Sequence, residues 1–261
     1  MPARCIAAAL LALWALPSAA FDRFEIQVYQ PELNEPGHLG LELHTNYTVS
    51  GAREPGFPGE IPPWHTGRFT LEPALGVTPW LELGGYLQLM DAPQHGVRYA
   101  GSKLRAKLVA PPPFGEGSFL GVNLELGWFP AEVEQDPWST EIRPFLGWKG
   151  RWLLVDVNPI LGVALSGKDA FRVALEPAAK VAFDAQLGFA VGVEYYAELG
   201  FIDAIRPLRD QAHYLFGVVD VLESYGQRSS SPWEINLGVG GGLGGGADQQ
   251  LILKSIVGRS F

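Results

Sequence analysis

Apolar and polar side chains alternate, residue by residue, over most of this chain. In GRFTLEPALGVTPWLELGGYLQL, residues 67–89, one parity carries Phe69 and Leu71 while the other carries Arg68 and Glu72. A period of two residues is typical of a β-strand, whose successive side chains point to opposite faces. About twelve segments show this alternation, at residues 38–48, 67–77, 80–90, 97–109, 118–129, 139–148, 152–165, 171–183, 187–200, 212–222, 232–243 and 249–261.

The length of these segments and the chemistry of their faces select the fold class. Each segment runs for about ten or more residues, the length that a tilted strand needs to cross a bilayer, whereas strands in globular proteins average about five or six. Almost no charge falls on the apolar parity, with Arg259 near the chain end as an exception. We therefore predict an all-β fold, a closed antiparallel transmembrane β-barrel of about 12 strands that contacts outer-membrane lipid.

Residues 1–20 have the features of a secretory signal peptide. Arg4 supplies a short basic region, residues 6–16 are apolar, and residues 18–20, Ser-Ala-Ala, are small enough for cleavage. The single cysteine, Cys5, lies inside this segment. The mature chain is therefore expected to have no disulfide, no thiolate metal site and no cysteine nucleophile.

The charge and hydropathy of the chain exclude some classes of partner. The formal net charge is −9, which argues against nucleic acid because phosphates require a basic face. No later segment has the run of uncharged apolar residues that a membrane-spanning helix needs. A mean hydropathy of +0.08 and 32 glycines nevertheless suit strands that face lipid, so we predict a location in the outer membrane.

Tryptophan and proline positions add two expectations. Tryptophans flank the proposed turns, as in the interfacial belts of membrane barrels; they are Trp80, Trp148, Trp152 and Trp233 at one end and Trp64, Trp128 and Trp138 at the other. Prolines also fall inside proposed strands, at Pro73, Pro144, Pro159 and Pro177. Because proline cannot donate to a ladder, we expect β-bulges or bends at these four positions.

The chain is predicted to have three parts. Residues 1–20 form the signal peptide, and residues 38–261 form the barrel. Residues 21–37 do not fit the strand count, because FEIQVYQ alternates but is short. They are expected either to lie at the periplasmic mouth or to enter the lumen, and a thirteenth strand would place the termini on opposite sides of the membrane.

Several stretches resemble a known family. They read LELHTNY, TLEPALGVTPWLELGGYLQ, TEIRPFLGW, VNPILGVALSG, EPAAKVAF, GVEYYAELG and HYLFGVVDVL. They are similar to an uncharacterised family of proteobacterial outer-membrane β-barrels, loosely labelled as transporters and similar in style to the channels of phenol-degradation operons. The terminal Phe261, with Val257, Leu253 and Leu251 on its parity, also looks like the signal read by the barrel-assembly machinery, although Arg259 and Ser255 depart from it. The resemblance implies insertion by that machinery and a transport role, without chemistry that transfers to particular residues.

The polar parity predicts which side chains line the lumen. Its members are charged or amide-bearing: Glu42, His44, Asn46, Arg68, Glu72, Glu82, Lys103, Arg105, Lys107, Glu125, Glu141, Arg143, Asp156, Glu176, Lys180, Glu194 and Glu234. Lys103, Arg105 and Lys107 would form a basic ladder on one wall. Such a lumen suits a passive pore for a small polar or zwitterionic solute. The same charges could instead pair into a network that seals a structural barrel.

Catalysis and metal binding have weaker support in the sequence. His44 lies between Glu42 and Asn46 on one face, and Ser102 and Ser166 are available hydroxyls for a lipid-acting hydrolase. However, there is no G-x-S-x-G motif, and His213 cannot be assigned to either face. The five histidines are dispersed, with no pair at metal-ligand spacing. We therefore expect no enzyme, no cofactor and no metal.

Overall fold

The computed structural model describes residues 22–222, 225 and 231–261, so the predicted signal peptide lies outside the described residues. Within them the chain forms twelve long strands, two short ones (β10, β11) and a 3₁₀ turn at Leu208–Asp210. The strands are β1 Leu39–Gly51, β2 Gly67–Thr78, β3 Leu81–Ala92, β4 Gly96–Val109, β5 Ser118–Trp128, β6 Trp138–Lys149, β7 Leu153–Ala164, β8 Val173–Asp184, β9 Phe189–Glu198, β10 Gly200–Phe201, β11 Ala204–Ile205, β12 Ala212–Val221, β13 Trp233–Leu243 and β14 Gln249–Ser260. No helix in this part of the chain is long and apolar enough to cross a membrane.

The long strands pair antiparallel with their neighbours and close on themselves. β1 pairs with β2 on one side and with β14 on the other, and β9 pairs with both β8 and β12. Beyond Leu199, β10 continues the pairing with β8. Because the sheet closes, none of these twelve long strands is an edge strand. Their backbone N–H and C=O groups can then hydrogen-bond to neighbouring strands within the hydrocarbon. The structure confirms the predicted all-β, closed antiparallel barrel of 12 long strands.

The two faces of the wall have the predicted chemistry. Leu43, Leu87 and Leu124 point outward, with 40–46% of their surface exposed. Gln88 and Glu125 point inward and are buried. Exposed leucines beside buried carboxylates reverse the usual arrangement of a soluble protein, and they match a wall with lipid outside and ionised groups inside. The protein is therefore an outer-membrane barrel.

The two ends of the barrel differ. The first residue of β1 and the last residues of β14 lie together, because Gly40 pairs with Ser260. We call this the inner, periplasmic end, since the long connection 52–66 lies at the opposite, outer end. Trp80, Trp148, Trp152 and Trp233 are exposed near the inner end, and Trp128 and Trp138 near the outer end. The guanidinium of Arg259 lies over the rings of Trp233 and Phe261, at 5.0 and 4.9 Å from their centroids, so this outward charge reaches an interfacial aromatic pair.

The expected bulges at the four strand prolines are wrong. Pro73 pairs with Leu41, Pro144 with Val122, and Pro159 with Pro177, all in unbroken register. Pairing lapses beside Pro73 and Pro144 on one flank, but it resumes in the same register. The rings of these prolines lie on the outward parity, and a missing N–H removes one bond without inserting a residue.

A clear bulge occurs instead where a glycine permits it. In β4, Gly101 pairs with Gln88 and Tyr99 with Leu89, so Ala100 is the extra residue. A Cβ on Gly101, whose φ is 152°, would lie 2.6 Å from Phe129 Cδ1. Glycine at position 101 therefore accommodates both the bulge and the close approach of the Phe129 ring, and no proline is involved.

Candidate functional site

Residues 22–37, which we call the N-terminal segment, run through the interior of the barrel. At the outer end Arg23 forms ion pairs with Glu60 at 2.9 Å and Asp248 at 2.5 Å. At the inner end the backbone N–H of Asn34 donates to Glu82 at 2.7 Å. Of the two expected locations, mouth or lumen, the structure places this segment in the lumen.

Wall side chains hold the N-terminal segment by its backbone. Asn158 accepts the N–H of Tyr29 at 2.7 Å and donates to its carbonyl at 3.2 Å. Lys254 donates to the carbonyl of Ile26 at 2.8 Å, and Lys107 donates to that of Glu32 at 2.7 Å. Residues 22–36 belong to no strand, so side chains replace the ladder partner that a strand would have.

Apolar contacts add to this attachment. The side chains of Ile26 and Val28 are buried in a cluster with residues of the wall and with Ala247 of the β13–β14 connection; the wall residues are Ile160, Ala178, Tyr196, Ala212, Tyr214, Phe216, Val218 and Ile252. Phe24 lies in a second cluster near the outer end, with Met90 and Phe129. The segment therefore occupies the lumen with both polar and apolar contacts.

Most of the residues predicted to line the lumen are buried inside it. They are His44, Asn46, Arg68, Glu72, Glu82, Lys103, Arg105, Lys107, Glu125, Arg143, Asp156, Glu176, Lys180 and Glu194. Glu42 and Glu141 are half-buried, and Glu234 is exposed near the inner mouth. The lumen also contains three carboxylates of the N-terminal segment, Asp22, Glu25 and Glu32. The alternation within strands could not predict them, because they lie outside the strands.

Each member of the predicted basic ladder on β4 contacts an oxygen acceptor. Lys103 pairs with Glu125 at 2.7 Å and also with Asp22. Arg105 bridges Glu72 at 2.6 Å and Glu82 at 2.8 Å. Because an unpaired charge is costly in a low-dielectric interior, these contacts brace the wall and the N-terminal segment together.

A second charged network lies across the lumen. Lys180 contacts Asp220 at 2.8 Å and Glu194 at 3.4 Å, and Lys254 pairs with Glu194. Asn236 donates to Asp220 at 2.6 Å. This network joins β8, β9, β12, β13 and β14, on the side of the barrel away from the basic ladder.

A third cluster joins His44 to two carboxylates. His44 Nε2 lies 3.4 Å from Glu42 Oε2 and 3.3 Å from Glu72 Oε2, and neither ring nitrogen makes a hydrogen bond. The sequence pattern grouped His44 with its strand neighbours Glu42 and Asn46. Asn46 donates instead to the carbonyl of Phe24 at 3.0 Å. Glu72 joins the cluster because it pairs with Glu42 across the β1–β2 hairpin, and the register of that hairpin was the signal that could have found it.

A cavity of ≈ 140 Å³ lies in the outer half of the lumen, and we call it the outer vestibule. Its charged lining is Asp22, Arg23, Arg68, Lys103, Glu125, Glu132, Glu134, Asp136, Glu141, Asp169, Arg172 and Glu176, with acids in excess. In the outer loops, burial raises the pKa of Glu134 to about 8. Burial and the neighbouring Asp169 also raise the pKa of Asp136. Glu134 is therefore largely uncharged at neutral pH, but the other acidic side chains of the lining still outnumber its four basic ones, so the vestibule is a negatively charged approach to the lumen.

The structure does not assemble the hydrolase set that the sequence left open. Ser102 accepts a hydrogen bond from the hydroxyl of Tyr99 at 2.7 Å, and His213 contacts the hydroxyl of Tyr195 at 2.6 Å. His213 follows the outward parity of β12, next to exposed Leu215. Among the described residues, no serine hydroxyl is hydrogen-bonded to His44 or His213, as acyl transfer would require.

Comparison with known proteins identifies the fold. Solved structures that are similar to this chain include an outer-membrane channel from Pseudomonas putida F1, with 13% identity, a TM-score of 0.57, and coverage of 91% of this chain and 100% of that one. The NanC porin matches with 11% identity and a TM-score of 0.56 over 85% and 98% of the chains. The KdgM porin matches with 10% identity and a TM-score of 0.54 over 85% and 99%. No protein-family model matches the sequence, and neither does a curated protein.

Proposed function

We propose that the protein is a passive outer-membrane channel for a small polar or zwitterionic solute, and that its own N-terminal segment narrows the lumen. The observation that carries this proposal is that the segment crosses the lumen without forming part of the wall. The wall closes through β1–β14 and β8–β9 pairing alone. Displacing the segment would therefore leave an intact barrel around a charged conduit. The likeness in fold to solved outer-membrane channels supports this proposal.

The arrangement of charge suits a solute that carries a cationic group. The outer vestibule is lined by an excess of carboxylates and would concentrate cations at the outer end. Arg105 and Lys107 lie deeper on β4. Displacing the N-terminal segment would release the ammonium of Lys107 from the carbonyl of Glu32, and this ammonium could then bind an anionic group. A zwitterion could then be oriented along the axis, with its ammonium group toward the vestibule and its carboxylate toward β4.

Conductance in planar bilayers tests the proposal. We expect small or brief current steps from the folded wild-type barrel, and a several-fold larger conductance when residues 22–36 are deleted. Heat-modifiable migration on gels verifies that each variant is folded. A folded deletion variant that gives no steps and no liposome swelling would contradict the proposal and favour a sealed structural barrel. Phospholipid turnover that is lost in His44→Ala would instead indicate a hydrolase.

A further inference from the structure

We propose that Glu42, His44 and Glu72 bind a divalent transition-metal ion of the Zn²⁺ class in the inner half of the lumen. The donor atoms all lie within 4.8 Å of one another. The ring of His44 is fully buried and Glu72 is nearly so. This inference does not depend on the proposed channel function, because it concerns binding rather than conductance.

The spacing of the donor atoms fits a metal better than a hydrogen bond. His44 Nε2 lies 3.3 and 3.4 Å from the two carboxylate oxygens, Glu72 Oε2 and Glu42 Oε2. Charge-assisted hydrogen bonds are about 2.7–2.9 Å long. Tetrahedral ligands at about 2.0–2.1 Å from zinc, in contrast, are separated from one another by about 3.3–3.4 Å.

The polar atoms of this cluster are otherwise unpartnered. His44 Nε2, Glu42 Oε2 and Glu72 Oε2 are all buried without a hydrogen bond. A buried polar atom without a partner costs free energy, so a ligand that satisfies three of them at once would stabilise the site. The second carboxylate cluster, Asp22 and Glu25 with Glu125, differs because the ammonium of Lys103 contacts all three of its members.

The neighbouring charges also favour a cation. Arg105 binds Glu72 through Oε1 at 2.6 Å, which orients the carboxylate and leaves Oε2 toward His44. Arg105 also binds Glu82 at 2.8 Å. Counting Glu42, Glu72 and Glu82 against Arg105 and Lys107, which both act on Glu82, leaves one negative charge when the imidazole is neutral, so the surroundings favour a bound cation.

Access is available from the inner mouth. The side chain of Glu42 is 27% exposed, and it lies across from Gly258 in the adjacent strand. A Cβ at Gly258 would come within 3.0 Å of Glu42 Cγ, so the glycine leaves room for this carboxylate. One imidazole and two carboxylates provide three protein ligands and leave a fourth position open to water.

Titration of the full mature barrel, folded in detergent and freed of metal, tests the site. Isothermal calorimetry with ZnCl₂ is expected to show one ion per barrel, with MgCl₂ competing weakly because Mg²⁺ prefers six oxygen ligands. His44→Gln should weaken Zn²⁺ binding at least about tenfold through loss of one of three ligands. The matched control is His95→Gln, in an exposed turn at the outer end, which should bind Zn²⁺ as the wild type does.

A second variant keeps the test decisive if His44→Gln fails to fold. Glu42→Gln removes a half-exposed ligand that does not contact Arg105, and it should also weaken binding at least about tenfold. Absence of one-to-one Zn²⁺ binding by the wild type overturns the inference. Binding that is unchanged in a folded His44→Gln or Glu42→Gln variant overturns it as well. Planar-bilayer conductance is not a readout here, so failure of the site and failure of the channel proposal can be told apart.

Discussion

Removal of the Asn158 side chain should release the N-terminal segment from the wall. The amide group of Asn158 makes two hydrogen bonds to the backbone of Tyr29, at 2.7 and 3.2 Å. Each contributes about 1 kcal/mol net, and a buried backbone group left without a partner costs about 1–3 kcal/mol. We therefore expect Asn158→Ala to weaken docking of the segment by about 2–4 kcal/mol, which corresponds to a roughly 30- to 700-fold larger undocked population.

Thiol labelling measures this population directly. Residues 22–261 contain no cysteine, so a chain that begins there allows Val28, which is 2% exposed, to be replaced by cysteine as the sole thiol. In the folded barrel this thiol should react slowly with a water-soluble maleimide, and the rate should rise by the stated factor when Val28→Cys is combined with Asn158→Ala. If undocking precedes labelling, the rate ratio reports the change in the docking equilibrium.

Asn236→Ala provides the matched control. Asn158 and Asn236 are both buried inward amides, and each donates to a neighbouring aspartate, Asp156 at 3.0 Å and Asp220 at 2.6 Å. The bonds of Asn236 are to the wall, so its loss should leave the labelling rate of the introduced thiol near that of the parent Val28→Cys variant. Equal rates in the two asparagine variants would refute the reasoning that Asn158 clamps the segment.

Two further predictions concern the outer face and the vestibule. Leu124→Arg should lower the free energy of unfolding from lipid vesicles by about 2–4 kcal/mol, because it places a charge in hydrocarbon near mid-strand. Denaturant titration measures this free energy, and Leu124→Ala is the control for the lost side-chain volume. An unchanged free energy of unfolding would argue against a lipid-facing position. Between pH 7 and 9, cation-over-anion permeability from reversal potentials should increase, because burial sets the pKa of Glu134 near about 8 and its ionisation adds negative charge to the vestibule. Glu134→Gln should abolish that increase, and an unchanged pH profile in this variant would assign it to another group.

The wall could be predicted from sequence because the polarity of the side chains along each strand indicates what each face of that strand contacts. A period of two residues identifies a strand, and a strand that is uniformly apolar on one face over about ten residues identifies lipid. The outward position of Leu43 and the inward position of Glu42 could therefore be predicted without knowing which strand lies beside them. The same local rule failed for Pro73 and Pro144, because whether a missing N–H shifts the register depends on the neighbouring strand.

The site was less predictable because it depends on contacts between distant segments. His44 and Glu42 are neighbours along one strand, but Glu72 reaches them through hairpin register. The N-terminal segment is harder still, since its alternation is short and its partners are dispersed wall side chains such as Asn158 and Lys254. Periodicity carries no information about a chain whose backbone is held by side chains.

The N-terminal segment places the beginning and the end of the described chain at different depths of the barrel. An even number of strands leaves both ends of a wall on the same side of the membrane, as Leu39 and Ser260 show. Residues 22–37 run from the inner mouth into the outer half of the lumen without entering the sheet, and the side chain of Arg23 reaches the long outer loop at Glu60. The first described residue, Asp22, therefore lies inside the lumen beside the outer vestibule, while the last strand ends at the periplasmic mouth.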